Sequence, residues 1–271
     1  MARKDKVVRD LTESVQKLLE NHKVRIVAGE ARLSGPDQVA VTPAAGGEPQ
    51  TLSAGAILLA TGSEPIALAG LDFDGERVVS STEALAFDVV PKHLVIVGGG
   101  YIGLELGSVW QRLGAKVTVI EMLPQIAAGL DGQIGRKLKQ VLTRQGFTFR
   151  LETRVSAARV KGKTVQVSLE AGDRTETLSC DRLLVAVGRR PLTRGLGLED
   201  AGVETDPKTG RVLVDAAYRT NVSSVYAIGD LVAGPMLAHK ASAEGMAAAE
   251  IIAGGTAEVN YDAIPSIVYT R

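Results

Sequence analysis

Short apolar runs alternate with amphipathic segments along this chain of 271 residues. In the clearest case, the apolar, β-branched run 94–97 leads into a glycine-rich turn, and an amphipathic segment continues to about Leu113. A second apolar run, residues 117–120, ends in Glu121. This order predicts the strand, turn, helix and strand that hold a dinucleotide pyrophosphate at a helix N-terminus.

The glycines of the turn have separate mechanical tasks. Gly98 allows a tight turn, Gly100 lets backbone amides approach phosphate oxygens, and Gly103 lets the helix pack closely on the strand. A bare glycine turn is the alternative, but the flanking strand and helix and the acidic residue about 20 positions later favour dinucleotide binding. The predicted binding residues are Gly98, Gly99, Gly100, Tyr101, Ile102, Gly103, Leu104 and Glu105.

Glu121 indicates which dinucleotide is bound. A carboxylate at the end of the second strand accepts hydrogen bonds from the ribose hydroxyls of NAD and repels the 2′-phosphate of NADP. Residues 122–125 contain no arginine or lysine that would bind that phosphate. NAD is therefore favoured, and a solvated glutamate at the strand end is the alternative.

Two further apolar runs end in polar residues. Residues 56–60 precede Thr61, Gly62 and Ser63, and residues 225–228 precede Gly229 and Asp230. Ligands of open α/β sheets bind at such carboxyl ends. A structural turn at the first site, and a helix cap made by Asp230 at the second, are the alternatives.

Periodicity predicts the remaining elements. They are a helix over about residues 5–20 with one buried face, a short strand at 24–27, a hairpin turn at 43–49, further strands at 147–151, 165–169 and 183–187, and a long helix from about Met236 to Ala253.

Composition excludes several classes of function. Lysine plus arginine equals aspartate plus glutamate at 31 each, so no net field attracts nucleic acid or an anionic membrane. The apolar runs are shorter than a membrane span and no signal core follows Met1, which predicts a cytoplasmic protein. Cys180 is the single cysteine, and the three histidines lack metal-ligand spacing, so no metal site is expected.

Taken together, the motifs resemble the flavin-dependent pyridine nucleotide–disulfide oxidoreductases, and within them the dihydrolipoamide dehydrogenases. The resemblance rests on residues 98–105 with Glu121, on 185–191 (VAVGRRP), on 226–230 (YAIGD) and on 231–241 (LVAGPMLAHKA), in the family's order. It implies an α/β fold in which a Rossmann-like NAD-binding domain is inserted into an FAD-binding domain, incomplete here, with a β-meander. The implied bounds are 1–90 and 215–257 for FAD, 91–214 for NAD, and 258–271 for the start of an interface domain.

The resemblance also assigns cofactor contacts. FAD adenine would lie near Ala31, its phosphates or ribityl chain near Thr61, Gly62 and Ser63, and the ribityl hydroxyls on Asp230. Tyr101 would lie over the flavin and Glu105 beside the nicotinamide, while Val155 and Gly188 would line the NAD crevice. The flavin's pyrimidine edge would face Met236, Leu237, Ala238 and His239.

The family's first glycine-rich turn and its redox cysteine pair would precede Met1, and its dimer-forming interface domain would follow Arg271. The sequence is therefore expected to be the central portion of such an enzyme, with no catalytic residue of its own and inactive alone. The whole enzyme would be a homodimer that passes electrons from the lipoamide-bearing protein of a 2-oxo acid dehydrogenase or glycine cleavage complex, through FAD, to NAD. An NADH oxidase, a mercuric reductase and a non-catalytic NAD(H)-binding remnant are the alternatives.

Overall fold

The computed structural model describes residues 1–270 and has an α/β fold, as predicted. The helices are α1 (Ala2–Asn21), α2 (Ser81–Ala84), α3 (Tyr101–Arg112), α4 (Gly132–Arg144) and α5 (Ala238–Ile252), with 3₁₀ turns at Gly229–Leu231 and Tyr261–Ala263. The strands are β1 (Gly29–Gly35), β2 (Gln38–Pro43), β3 (Gln50–Ser53), β4 (Ile57–Leu59), β5 (Ser63–Pro65), β6 (Val78–Val79), β7 (His93–Val97), β8 (Lys116–Ile120), β9 (Phe147–Arg150), β10 (Arg154–Lys161), β11 (Thr164–Ala171), β12 (Arg174–Cys180), β13 (Arg182–Val185), β14 (Arg189–Pro191) and β15 (Val225–Ala227).

The chain divides into two compact units. The first is built mainly from Pro65–Arg189, and the second from Ala2–Glu64 together with Arg190–Ile264. One α/β unit is therefore inserted into the sequence of another, as the fold prediction required.

The first unit contains a five-stranded parallel sheet in the order β6-β13-β7-β8-β9. Strands β8 and β9 lie on one side of β7, and β13 and β6 lie on the other. Val97 pairs with Ile120 on β8 and with Val185 on β13, so the carboxyl ends of these three strands meet at one edge. The strand order reverses beside β7, which is the position where open α/β sheets bind their ligands.

An antiparallel meander, β10-β11-β12, precedes β13 in the first unit. Val165, Val167 and Leu169 alternate with half-exposed residues along β11, as expected for a sheet with one buried face. That face packs against Val95 and Val97 of the parallel sheet.

The second unit is built on small sheets. Strands β4 and β15 form a parallel pair in which Leu59 lies opposite Ala227, and β1, β2 and β3 form an antiparallel sheet. Leu33, Val225 and Leu231 belong to the apolar cluster of this unit. The carboxyl ends of β4 and β15 meet at one edge, as in the first unit.

Two predictions at the start of the chain were wrong. The first helix forms, but none of its residues is buried, and Leu11 is 63% exposed. Its apolar stripe was predicted to be buried, but an amphipathic pattern does not guarantee that another element covers it. The strand expected at residues 24–27 does not form, because strand pairing starts only where Gly29 of β1 lies opposite Pro43 of β2.

We predict that His93, at the start of β7, makes stability depend on pH. Burial lowers the pKa of this imidazole, and hydrogen bonds join its Nδ1 to the Ser179 carbonyl (3.0 Å) and its Nε2 to the Thr118 hydroxyl (2.9 Å). Because the folded protein favours neutral His93, the free energy of unfolding should fall as pH drops below the unfolded-state pKa of about 6.5.

Urea denaturation at several pH values between 5 and 8 measures this slope. His93→Gln should flatten the slope, and the same change at exposed His22 should not. A slope unaffected by His93→Gln would contradict the assignment.

Candidate functional site: two strand-end crevices

The turn after β7 requires glycine for steric reasons. Gly98 has φ +107°, and a Cβ there would lie 2.3 Å from the Ala186 carbonyl oxygen. A Cβ on Gly103 would lie 2.5 Å from the Gly98 carbonyl oxygen. Strand, turn and helix therefore approach one another more closely than any side chain would allow, as the sequence predicted.

Helix α3 begins without a side-chain cap. Gly100 is its N-cap residue and makes no side-chain hydrogen bond, and the space beyond its Cα is open. The first-turn amides of a helix lack intrahelical acceptors and carry the positive end of its dipole. This end of α3 can therefore bind the pyrophosphate of a dinucleotide.

Glu121 lies directly beside this turn. Its Oε2 accepts a hydrogen bond from the Gly99 N–H (2.7 Å), and its Oε1 accepts one from the Leu123 N–H (2.8 Å). Each carboxylate oxygen has a second lone pair, so both remain able to accept from a ribose hydroxyl. These two hydrogen bonds from backbone N–H groups orient the carboxylate in advance, which argues against a freely solvated glutamate.

The other residues of the turn have mixed environments. Leu104 is fully buried in the core, whereas Tyr101, Ile102 and Glu105 are half-buried. Glu105 accepts a hydrogen bond from the Tyr269 backbone N–H (2.8 Å). Sequence reasoning missed this contact, because nothing in the residue pattern relates positions 164 residues apart.

Val155 and Gly188 belong to the same unit. Val155 is buried in a cluster with Val97, Ile120 and Val185, the last residues of three parallel strands. Gly188 follows β13 with φ +141°. Their predicted roles at the two ends of the NAD crevice stay predictions.

A second acidic strand-end site lies at the carboxyl ends of β4 and β15, in the other unit. The Ser63 hydroxyl donates to Oδ2 of Asp230. The Thr61 hydroxyl donates to the Leu192 carbonyl (2.9 Å), and the Gly62 carbonyl accepts from the Leu192 N–H (2.9 Å). The tripeptide thus has a structural role as a turn and also brings Ser63 to the aspartate.

Asp230 is not the cap of α5. The N-cap residue of that helix is Leu237, which makes no side-chain hydrogen bond, and Asp230 lies in the preceding 3₁₀ turn. The half-buried carboxylate accepts from the Ser63 hydroxyl and has further lone pairs that can accept from a polyol.

The remaining predicted flavin contacts lie in the second unit. Met236 and Leu237 precede α5, which starts at Ala238, and Ala238 and His239 are exposed in its first turn. Ala31 is exposed on β1, opposite Val41. Their individual contacts with flavin stay predictions.

Within residues 1–270, no cluster of histidine, cysteine, aspartate or glutamate has the geometry to hold a metal ion. No helix in that range is long and apolar enough to cross a membrane.

Comparison with known proteins decides the family. The family model described as pyridine nucleotide-disulphide oxidoreductase matches residues 1–245. The chain belongs to this family.

Curated members of the family extend beyond this chain. Dihydrolipoyl dehydrogenase 3 of Pseudomonas aeruginosa is 50% identical over 273 residues, which cover 100% of this chain and 58% of that protein. Human mitochondrial dihydrolipoyl dehydrogenase is 45% identical over 276 residues, covering 100% of this chain and 54% of its own length. The predicted resemblance to a central portion of these enzymes is therefore confirmed, and the chain spans just over half their length.

Solved structures of the family agree with the fold. LpdA from Mycobacterium tuberculosis superimposes with a TM-score of 0.90 at 26% identity, over 99% of this chain and 59% of that one. The HOCl-induced flavoprotein disulfide reductase RclA from Escherichia coli gives 0.83 at 25% identity, over 96% and 58%. FAD and NAD are the cofactors of the family. The uncapped glycine turn with Glu121 fits NAD, and Asp230 with Ser63 has the chemistry to fit the ribityl chain of FAD.

We predict that the chain binds NADH at least about tenfold more tightly than NADPH, roughly 1.4 kcal/mol. Glu121→Gln should reduce that preference, because it keeps an acceptor for one turn amide but removes the charge that repels a 2′-phosphate. Glu121→Ala should in addition weaken NADH binding, since the acceptor for the ribose hydroxyls and for the two backbone N–H groups is lost.

Fluorescence titration with each nucleotide measures both effects. Equal affinities of the unaltered chain for NADH and NADPH would remove Glu121 from this role.

We predict that Cys180 is chemically inert in the folded chain. Its side chain is buried, and burial raises the pKa of the thiol to about 12, which leaves almost no reactive thiolate near neutral pH. A thiol-specific chromogenic reagent should react with it only after unfolding in denaturant. Stoichiometric reaction within minutes under native conditions would contradict this environment.

Proposed function

We propose that this chain forms the NAD crevice and the ribityl side of the flavin site of a dihydrolipoamide dehydrogenase. The observation that carries the proposal is the pair of acid-tipped strand ends, Glu121 beside the Gly98 turn and Asp230 beside Ser63. Identity of 45–50% to dihydrolipoyl dehydrogenases over the whole chain supports this enzyme over other members of the family.

The residues would divide the work as follows. The first turn of α3 would bind pyrophosphate, and Glu121 would bind the adenosine ribose of NAD. Asp230 would accept ribityl hydroxyls, oriented by Ser63. When bound, FAD would supply the two-electron chemistry that relays electrons from a dithiol to NAD, which accepts them as a hydride.

The proposed partner is a lipoamide-bearing protein of a 2-oxo acid dehydrogenase or glycine cleavage complex, served by a homodimer of the whole enzyme. Its disulfide step needs two sulfurs. Cys180 is the single cysteine of these 271 residues and is buried, so this chain contributes no dithiol.

One half of that observation, Glu121 beside the Gly98 turn, favours a second candidate function, a non-catalytic NAD(H)-binding module. That candidate needs only the crevice of the first unit, whereas the proposed enzyme needs flavin at Asp230. Flavin binding therefore separates the two candidates.

We predict that the pure chain, with added FAD and NADH, reduces lipoamide no faster than a protein-free control. With ferricyanide as artificial acceptor, FAD-dependent NADH oxidation should exceed that of free FAD. Asp230→Ala should lower this diaphorase rate at low FAD by about tenfold, because it removes the proposed ribityl acceptor, about 1.4 kcal/mol.

NADH affinity is the control, and Asp230→Ala should leave it unchanged, since Asp230 lies outside the unit that contains Glu121. Robust lipoamide turnover by the chain alone would contradict the proposed division of labour. Binding of NADH without any binding of FAD would favour the non-catalytic module.

A further inference from the structure

A buried ion pair lies beneath the turn that carries Asp230. Lys240 and Glu244 are one helical turn apart on α5, and both side chains are fully buried. The Lys240 Nζ lies 3.0 Å from Oε1 and 3.1 Å from Oε2 of Glu244. A buried ion pair is costly to desolvate and is often no more stabilising than apolar residues of similar size, so stability alone does not explain it.

Both members of the pair bind the same backbone residue. The Gly229 N–H donates to Oε2 of Glu244 (2.7 Å), and the Lys240 Nζ donates to the Gly229 carbonyl (3.0 Å). Gly229 has φ +70° and begins the 3₁₀ turn Gly229–Leu231. Asp230 therefore follows a residue whose two backbone polar groups are held by charged hydrogen bonds, which are stronger than neutral ones.

Lys240 also supports the far end of this loop. A Cβ on Gly234, which has φ +101°, would lie 2.9 Å from Cε of Lys240. The lysine stem thus passes directly beneath Gly234 while its amine binds Gly229. One side chain therefore contacts both glycine turns that bracket residues 230–233.

Glu244 has its own support. Its Oε1 accepts a hydrogen bond from the Tyr261 hydroxyl (2.8 Å), which lies 3.3 Å from the Tyr218 hydroxyl. Burial is the main cause that raises the pKa of Tyr261, and these hydrogen bonds add to it. The phenol therefore stays neutral and remains a donor. The carboxylate is thereby fixed on its second oxygen as well.

We propose that Lys240 and Glu244 are positioning residues for the flavin site, holding the Gly229–Leu231 turn so that Asp230 presents its carboxylate with Ser63. The inference rests on the proposed function for its ligand, FAD. Its geometric basis is the bonding of both Gly229 polar groups to one buried pair. A preoriented aspartate binds a polyol without the entropy loss of ordering a mobile loop.

Two uncharged double variants test this on the full chain without leaving a lone buried charge. Lys240→Met with Glu244→Gln removes the donor to the Gly229 carbonyl but keeps an acceptor for the Gly229 N–H. Lys240→Met with Glu244→Leu removes both. Glu250→Gln, an exposed glutamate on the same helix, is the matched control.

Three quantities are measured: the dissociation constant for FAD from flavin fluorescence anisotropy, that for NADH, and hydrogen exchange at the Gly229 amide. The variant with Lys240→Met and Glu244→Gln should weaken FAD binding at least tenfold. The variant with Lys240→Met and Glu244→Leu should weaken it further. Hydrogen exchange at the Gly229 amide should accelerate at least tenfold in the Glu244→Leu double variant and less in the Glu244→Gln double variant. The NADH constant should stay within twofold, and Glu250→Gln should match the unaltered chain throughout.

The graded order separates positioning from general damage, since glutamine can accept from the Gly229 N–H and leucine cannot. Unchanged FAD affinity and unchanged Gly229 exchange in both folded double variants would overturn the proposal. Equal losses of FAD and NADH affinity would also overturn it. If the unaltered chain binds no FAD, that result counts against the proposed function, and Gly229 exchange alone then decides the positioning role.

Discussion

The backbone of Gly98 passes so close to the carbonyl of Ala186 that no side chain fits between them. This approach brings the glycine turn down onto the point where the strand order of the first unit reverses, between β7 and β13. Gly103 allows α3 to follow the turn at the same short distance. The proposed NAD site depends on this steric constraint, because only a closely packed helix directs its first-turn amides across the sheet edge.

The second unit repeats the principle with different residues. Again two parallel strands end side by side, a glycine with positive φ follows, and an acidic side chain lies in the turn at the strand end. The acidic groups are oriented in different ways. Glu121 is held by backbone amides, whereas Asp230 is bonded to Ser63 on a turn held by a buried ion pair.

Local spacing predicted the parts of the site that lie on one stretch of chain. The residues from Gly98 to Gly103 and Glu121 were predicted because glycine spacing and a strand-end carboxylate are visible in sequence. Ser63 and Asp230, although 167 positions apart, were both predicted as strand-end residues, since parallel strands align their carboxyl ends.

Long-range packing accounts for what the sequence did not reveal. The apolar stripe of α1 predicted burial, but no pattern within a helix specifies what covers it. Lys240 and Glu244 were missed for the opposite reason, because charged residues four positions apart on a helix normally indicate a solvated face. The one sequence signal was their placement on an alanine-rich helix directly after the Asp230 turn. That signal becomes informative only when the structure shows both side chains hydrogen-bonded to Gly229.

We propose that the Gly98 turn binds the dinucleotide where the strand order reverses. Amide chemical-shift mapping of the isotope-labelled chain during titration with NADH tests this binding site. We expect the largest shifts on residues 98–103, Glu121 and Gly188, with residues 229–240 nearly unaffected. Shifts concentrated around Asp230 and α5, with the Gly98 turn silent, would contradict it.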